Sequence, residues 1–441
     1  MNERDRIRQY LARYVSPDSR LVASTITTFN PSSFRRSLCI PAYDESMDFV
    51  EALQYHPDIA GTLVILVINA PDNAPGSRLT RTREMLRQLS HTGKMLWHSE
   101  QGLMLKHNGN NGEFTILVMD HCSEGRCLPF KQGVGAARKL GNDVALELWN
   151  TGLIESGWLY QTDADATLPD NYFVTPETLP KCVAVHLDFQ HTDNGETSLA
   201  QQLYDLKLDY YTTGLVYAGS PYAHYSLGSA LIINANAYAV VRGYPKRSAG
   251  EDFYILNKLA KYGRIAFDSS RTIMLKERLS TRVLFGTGPG VLHFQNLDTP
   301  LLAEEFYAPE SFTTLKIWLS FLLYSARHCC GDSAFNARSA FQHFAGSSAT
   351  TIAIRALTQR GLFDWLERIV AKYESPEQAL QQVRSGMDAL KTLQLIHALR
   401  DSGYRNVAAV TAKQWLVQEQ EYRQLEQPEL RSNRYSSITC I

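Results

Sequence analysis

Five short segments carry side chains whose types and spacing suit chemistry. The first is Asp163-Ala164-Asp165, in WLYQTDADATLPDNYF. Two carboxylates at i and i+2, just past an apolar run, can meet one divalent cation directly or through water. Mg²⁺ or Mn²⁺ held this way takes its other ligands from water and substrate phosphate, and neutralises a diphosphate leaving group. The same residues also suit an Asp-rich loop that caps the next helix. The second segment is Gly250-Glu251-Asp252, which opens an amphipathic stretch. A carboxylate there could act as general base on a hydroxyl, with Asp252 the first candidate and Glu251 the second. Acidic residues in a first turn are equally what capping and the helix dipole favour.

The third segment is Gly133-Val134-Gly135-Ala136-Ala137-Arg138-Lys139. Glycines before a helix let backbone approach a ligand, and a helix N-terminus favours phosphate. Neither the dinucleotide pattern G-x-G-x-x-G nor a P-loop ending is present. Arg138 is placed near a diphosphate or ribose, or is a solvated first-turn arginine. The fourth is Ile40-Pro41-Ala42-Tyr43-Asp44-Glu45, where Tyr43 could stack on a base and Glu45 could accept a ribose or base hydrogen bond. A plain strand-to-helix loop reads the same way. The fifth holds Arg278 and Arg282, then Phe285–Gly290 and His293. The two arginines could form a lid over phosphates or decorate a surface loop. His293 is a candidate further metal ligand or a structural histidine.

These segments need elements to position them. Ser37–Ile40, Thr62–Ile68, Phe114–Met119 and Gly157–Gln161 are apolar runs that predict buried strands. Helices are predicted over Asp48–Leu53, Arg81–Ser90 and Gly135–Asn150. Strands alternating with helices at this spacing argue for an α/β fold with a mainly parallel sheet flanked by helices. Ligands of such sheets bind at the carboxyl ends of the strands, where the polar segments fall. From about Leu301 helical periodicity dominates: Leu315–His328, Ala340–Arg360, Glu377–Ser402 and Thr411–Arg423. The expected organisation is a helical N-terminal extension over 1–34, a catalytic α/β domain over 35–300 and a helical C-terminal region over 301–441. No internal repeat is present.

The composition bounds the partners. The chain has 441 residues, 44 Lys+Arg against 45 Asp+Glu, and a formal charge of −1. No global basic field exists to hold nucleic acid. Seven cysteines with no C-x-x-C pair fit reduced thiols better than a zinc ribbon or redox pair. Met1–Arg20 has no secretory pattern. The apolar stretch Ile317–Ala326 is too short to span a bilayer, which needs about 20 residues. A cytoplasmic protein is expected, with a peripheral place at the inner membrane face left open.

Taken in order, the motifs resemble the family 2 glycosyltransferases of the GT-A fold. The family's first strand ends in I-P-A-Y-N-E, and IPAYDES stands at Ile40–Ser46. Its second strand ends in a nucleotide-binding residue, here Asn69 in VILVINAPDN, with Asp72 following. Its G-x-A-x-A-R-N-x-G segment matches GVGAARKLGNDVAL, with Lys139 in place of Asn. The D-x-D pair is Asp163 and Asp165, the acceptor-side motif is GSALIINANAY at Gly228–Tyr238, and the E-D pair is Glu251-Asp252. The resemblance spans about residues 35–295. The family's Asp-Asp-Gly-Ser after the second strand and the processive Q-x-x-R-W signature are absent, and residues 301–441 have no counterpart.

The resemblance implies non-processive transfer of a sugar from a nucleotide-diphosphate donor to a hydroxyl acceptor, with inversion. The acceptor is a glycan, lipid or small molecule. Pro41, Ala42, Tyr43, Glu45 and Asn69 would line the nucleoside site, and Arg138 would lie along the ribose and diphosphate. Asp163 and Asp165 would hold Mg²⁺ or Mn²⁺ with His293 as a further ligand. Arg278 and Arg282 would steady the departing diphosphate, and Asp252 would take the acceptor proton. Two rivals are a sugar-phosphate nucleotidylyltransferase, whose G-x-G-T-R-L start is missing, and a non-catalytic nucleotide-sugar-binding scaffold.

Overall fold

The structure, a computed structural model, describes residues 3–29, 32–173, 181–192, 197–277 and 286–426. Arg278, Arg282 and Phe285 therefore lie outside the described residues. The chain forms two compact units. One takes residues 1–197 and 226–289, the other 198–225 and 290–441.

The first unit is built on ten strands: β1 (Arg36–Ala42), β2 (Thr62–Asn69), β3 (Lys94–Ser99), β4 (Gly102–Gly109), β5 (Gly112–His121), β6 (Trp158–Gln161), β7 (Ala166–Thr167), β8 (Ala184–Thr192), β9 (Leu231–Asn234) and β10 (Ile265–Lys276). Their order is β3-β4-β5-β2-β1-β6-β9-β8-β10-β7. The pairs β5/β2, β2/β1, β1/β6 and β8/β10 are parallel. Only β4, β9 and β7 run against the rest. This is the α/β sheet of mostly parallel strands that the apolar runs predict. Every position of β1 and β2 is buried, as continuous Val/Ile/Leu strands covered on both faces require.

Register fixes the carboxyl edge. Ala42 pairs with Ile68, and Cys39 with Gln161. Tyr43, Asn69 and Thr162–Asp163 therefore leave the sheet along one edge. Among the described residues up to 262 the α-helices are α1 (Glu3–Arg13), α2 (Pro17–Phe29), α3 (Asp48–Tyr55), α4 (Gly76–Leu89), α5 (Gly133–Asn150), α6 (Leu199–Tyr217), α7 (Ala235–Val240) and α8 (Glu251–Tyr262). All but α6 belong to the first unit.

A buried polar knot joins α1 and α2 to α5. Asp143, fully buried, accepts from the Tyr10 hydroxyl at 2.5 Å, the Ser16 amide at 2.8 Å and the Tyr238 hydroxyl at 3.1 Å. Lys139 Nζ lies 3.0 Å from Asp143 and donates to Tyr10 at 2.5 Å. Lys139, which departs from the resembling pattern, is thus the counter-ion of Asp143. Val22, Ala23 and Ile26 of α2 share the apolar core with Leu140 and Val144 of α5.

The second unit is helical. Trp318, Phe321, Phe341 and Phe363 form an aromatic core. Tyr210 of α6 packs on Phe306, Phe312 and Trp415. Two predicted helices are each divided. Ala340–Arg360 is broken into Ala337–Ala345 and Thr351–Gln359, because Gly346 takes φ +52° and Thr350 caps the second piece by accepting from the Ala353 amide. Glu377–Ser402 is broken into Pro376–Gly386 and Ala389–Ser402, where Asp388 caps by accepting from the Lys391 amide. Side chains that cap the backbone compete with a continuous helix. Among the described residues no helix is long and apolar enough to cross a membrane.

Asp143→Ala should cost about 3–5 kcal/mol in urea unfolding, because it leaves Lys139 buried without its counter-ion. A loss under about 1 kcal/mol would show that α1 and α2 are held by apolar packing alone.

Candidate functional site

Arg138 sits one turn into α5 and is 3% exposed. Its Nη2 donates to Asp163 Oδ1 at 2.6 Å and its Nε donates to Glu251 Oε1 at 3.0 Å. One guanidinium thereby links the D-x-D segment after β6 to the first residue of α8. Gly228 closes a third side: a Cβ there would stand 2.6 Å from Arg138 Nη2. Asn142, one turn along α5, donates to the Arg138 carbonyl at 2.8 Å and to Gln161 Oε1 at 3.1 Å. Gln161 in turn donates to the buried Tyr244 hydroxyl. Arg138 is thus held by two carboxylates, with Gly228 against its Nη2.

Asp252 adjoins this pair. Gly250, at φ +69°, turns the chain into α8 so that Glu251 and Asp252 fall in its first turn. Burial, then the neighbouring Glu251 charge, push the Asp252 carboxyl up to about 7. Burial also raises Glu251, opposed by Arg138. Desolvation plus a like charge is the combination that tunes carboxylates for acid-base work near neutrality.

The glycines at the start of α5 do something other than admit a ligand. A Cβ on Gly135 would stand 2.4 Å from the Pro245 carbonyl oxygen, and its amide donates to the Arg247 carbonyl at 3.0 Å. The segment leading to α8 occupies the space that the sequence suggested for phosphate, which is why no side chain fits.

Pro41 and Ala42 are buried in β1, and Tyr43 and Glu45 are half-buried beyond it. Asp44, at φ +59°, is bound by Arg81 through two bonds of 2.6 and 3.0 Å, and its amide donates to Thr82 at 3.1 Å. Helix α4 thus fixes the loop that carries Tyr43 and Glu45. Asn69 is 5% exposed and its Oδ1 is buried without a hydrogen-bond partner among the described residues.

A cleft of about 250 Å³ opens between α3 and the β6–β7 segment, lined by Ile40, Phe49, Leu53, Thr162, Asp163 and Asp170 among others. The buried Thr162 Oγ1 also has no partner among the described residues. His293 belongs to the second unit, where its Nε2 lies 2.9 Å from Glu305 Oε1. Phe49, Leu53, Thr162, Asn142, Gln161 and Tyr244 escaped the sequence reading. The signals for two of them are visible in retrospect: Asn142 stands four residues after Arg138 on the same helical face, and Gln161 is a polar end to an otherwise apolar strand.

Among the described residues no group of three or more His, Cys, Asp or Glu side chains is arranged to hold a metal. Asp163 and Asp165 supply two carboxylates of the hard oxygen type that Mg²⁺ or Mn²⁺ takes, and Arg138 engages Asp163 through Oδ1. That suits a cation whose remaining ligands come from water and phosphate.

No family model matches the chain, and no curated protein matches it. Among solved structures the chain is similar to "Crystal structure of GalNAc-T7 with UDP, GalNAc and Mn2+", at 13% identity and a TM-score of 0.32. The likeness covers 72% of this chain, which spans about half (55%) of that chain's length.

A carboxyl raised in the folded state binds more protons than in the unfolded chain. Asp252 therefore contributes stability below about pH 4, and loses it as pH rises towards 7. Asp252→Asn should exceed the unmodified protein in stability by a margin that grows from pH 4 to 7 and is constant above. The margin is on the order of 1–4 kcal/mol, since each tenfold change in proton affinity is worth about 1.4 kcal/mol. Equal melting profiles across this range would show that Asp252 is solvated.

Proposed function

We propose that the protein is a metal-dependent glycosyltransferase of the GT-A type that moves a sugar from a nucleotide-diphosphate donor to a hydroxyl acceptor. One observation carries this reading. Two acidic motifs far apart in sequence, at Asp163 and Glu251-Asp252, meet through Arg138 at the carboxyl edge of the sheet. The order of the motifs in the sequence supports the same reading.

The nucleoside lies against Tyr43, Glu45 and Asn69 at the ends of β1 and β2. Asn69 Oδ1 is a buried acceptor without a partner among the described residues, and a base N–H is a group that would satisfy it. Asp163 and Asp165 hold Mg²⁺ or Mn²⁺, which supplies charge neutralisation for the diphosphate when bound. Arg278 and Arg282 steady the leaving diphosphate. The Asp252 carboxylate takes the proton from the acceptor hydroxyl. As that oxygen bonds to the anomeric carbon, the bond from carbon to the donor's phosphate oxygen breaks, and its electron pair leaves with the nucleoside diphosphate. Attack opposite the leaving group inverts the centre. A base poised near 7 balances availability of its ionised form against proton affinity.

Thermal stability against UDP, GDP and ADP and their sugars, each with and without Mn²⁺, tests the donor site. A ligand at 100 times its dissociation constant adds about 2.7 kcal/mol. The expected outcome is a shift for one nucleotide that requires Mn²⁺ and is weakened by Asp165→Ala. Asp252→Asn should then abolish sugar transfer while donor binding is kept. No shift with any nucleotide would contradict the reading, as would equal loss of transfer and binding in Asp252→Asn.

A further inference from the structure

Three of the site's carboxylates, Asp163, Glu251 and Asp252, gather about one buried cation, Arg138. Arg138 bonds two of the three, Asp163 and Glu251, and no ion pair to Asp252 forms among the described residues. Asp252 Oδ1 accepts its neighbour's amide, from Phe253 at 2.7 Å. The charged and titratable groups around Asp252 are Glu251 on its own helix, Arg138 from α5, Asp163 from the end of β6 and Tyr244 from the segment before α8.

We infer that Arg138 is a positioning residue that selects Asp252 as the proton-accepting carboxylate, by committing its guanidinium to Asp163 and Glu251 while leaving the donor untouched. Three features carry this. The guanidinium is closed in by Gly228 on one side and by its two carboxylate partners. Its remaining nitrogen, Nη1, is buried without an acceptor among the described residues, so it presents no exposed face to a diphosphate. The hydrogen bonds from Asn142 through Gln161 to Tyr244 fix the helix turn that carries it.

Charge then sorts the carboxylates. Glu251 and Asp163 each have the Arg138 guanidinium at bonding distance. Asp252 faces the Glu251 charge without a cation of its own, so the next proton goes to Asp252. The inference rests on the transferase reading for the chemistry that Asp252 performs. It rests on geometry alone for which group carries the proton.

The test reads Asp252 without any substrate. Melting temperature is measured from pH 4 to 9 for the unmodified protein, Glu251→Gln and the charge-conserving double variant Arg138→Met/Glu251→Gln. Each is compared with the same protein carrying Asp252→Asn, and the difference isolates Asp252. In the unmodified protein the difference should level off near pH 7. Glu251→Gln removes the like charge and keeps the cation, so levelling should move down by about one pH unit. Adding Arg138→Met removes the cation's pull, and levelling should move back up by about as much. The double variant buries no unpaired Glu251, and its melting transition reports directly whether the fold is kept.

A levelling point that stays in place through both steps would overturn the inference, because a residue with only a structural role leaves it there. Binding of UDP, GDP and ADP in the presence of Mn²⁺, measured by calorimetry, provides the second arm. The double variant should keep its affinity within about threefold, and a tenfold loss would show that Arg138 touches the donor. If no nucleotide binds any of the proteins, the transferase reading falls, while the stability arm still decides which carboxylate carries the proton.

Discussion

The bond from Arg138 to Asp163 and Glu251 is the constraint on which the site depends. It is a buried ion pair with two anions, and such pairs gain little net stability because desolvation offsets attraction. Their use lies in specifying one arrangement. Here the arrangement brings the end of β6 and the start of α8 to fixed positions on a 3% exposed guanidinium. Asp252, one residue further along α8, inherits its place from that contact.

Much of the first unit can be read as support for this contact. The β1/β6 register sets where Asp163 leaves the sheet. Helix α5 carries Arg138, and the knot of Asp143, Lys139, Tyr10 and Tyr238 fixes α5 against α1, α2 and α7. The tight approach of the Pro245–Ser248 backbone to Gly133 and Gly135 brings the start of α8 close to α5. A side chain at either glycine would separate the two elements that Arg138 joins.

Some of this was legible in sequence because it is local. Continuous apolar runs mark β1, β2, β5 and β6, and the motifs at their ends are contiguous. The hairpin β3–β4 and the strands β8 and β10 were not legible. Strand β10 alternates buried and exposed positions irregularly and shifts register after Asp268, so no clean period survives. The partners of Arg138 lie 25 and 113 residues away, and only the fold brings them together. For the same reason the glycines of α5 suggested a phosphate, whereas the neighbour they admit is backbone. Helix α6 joins the second unit although it lies between strands of the first, an assignment that depends on packing and leaves no linear trace.

The most direct test of the central claim is anomalous diffraction from a crystal grown with Mn²⁺ and the nucleoside diphosphate that binds. The expected result is one Mn²⁺ peak within coordination distance of the Asp163 or Asp165 carboxylate, bridged to the diphosphate, with Arg138 still bonded to Asp163 and Glu251. A peak elsewhere, or a diphosphate lying against Arg138 with its carboxylate bonds broken, would contradict it.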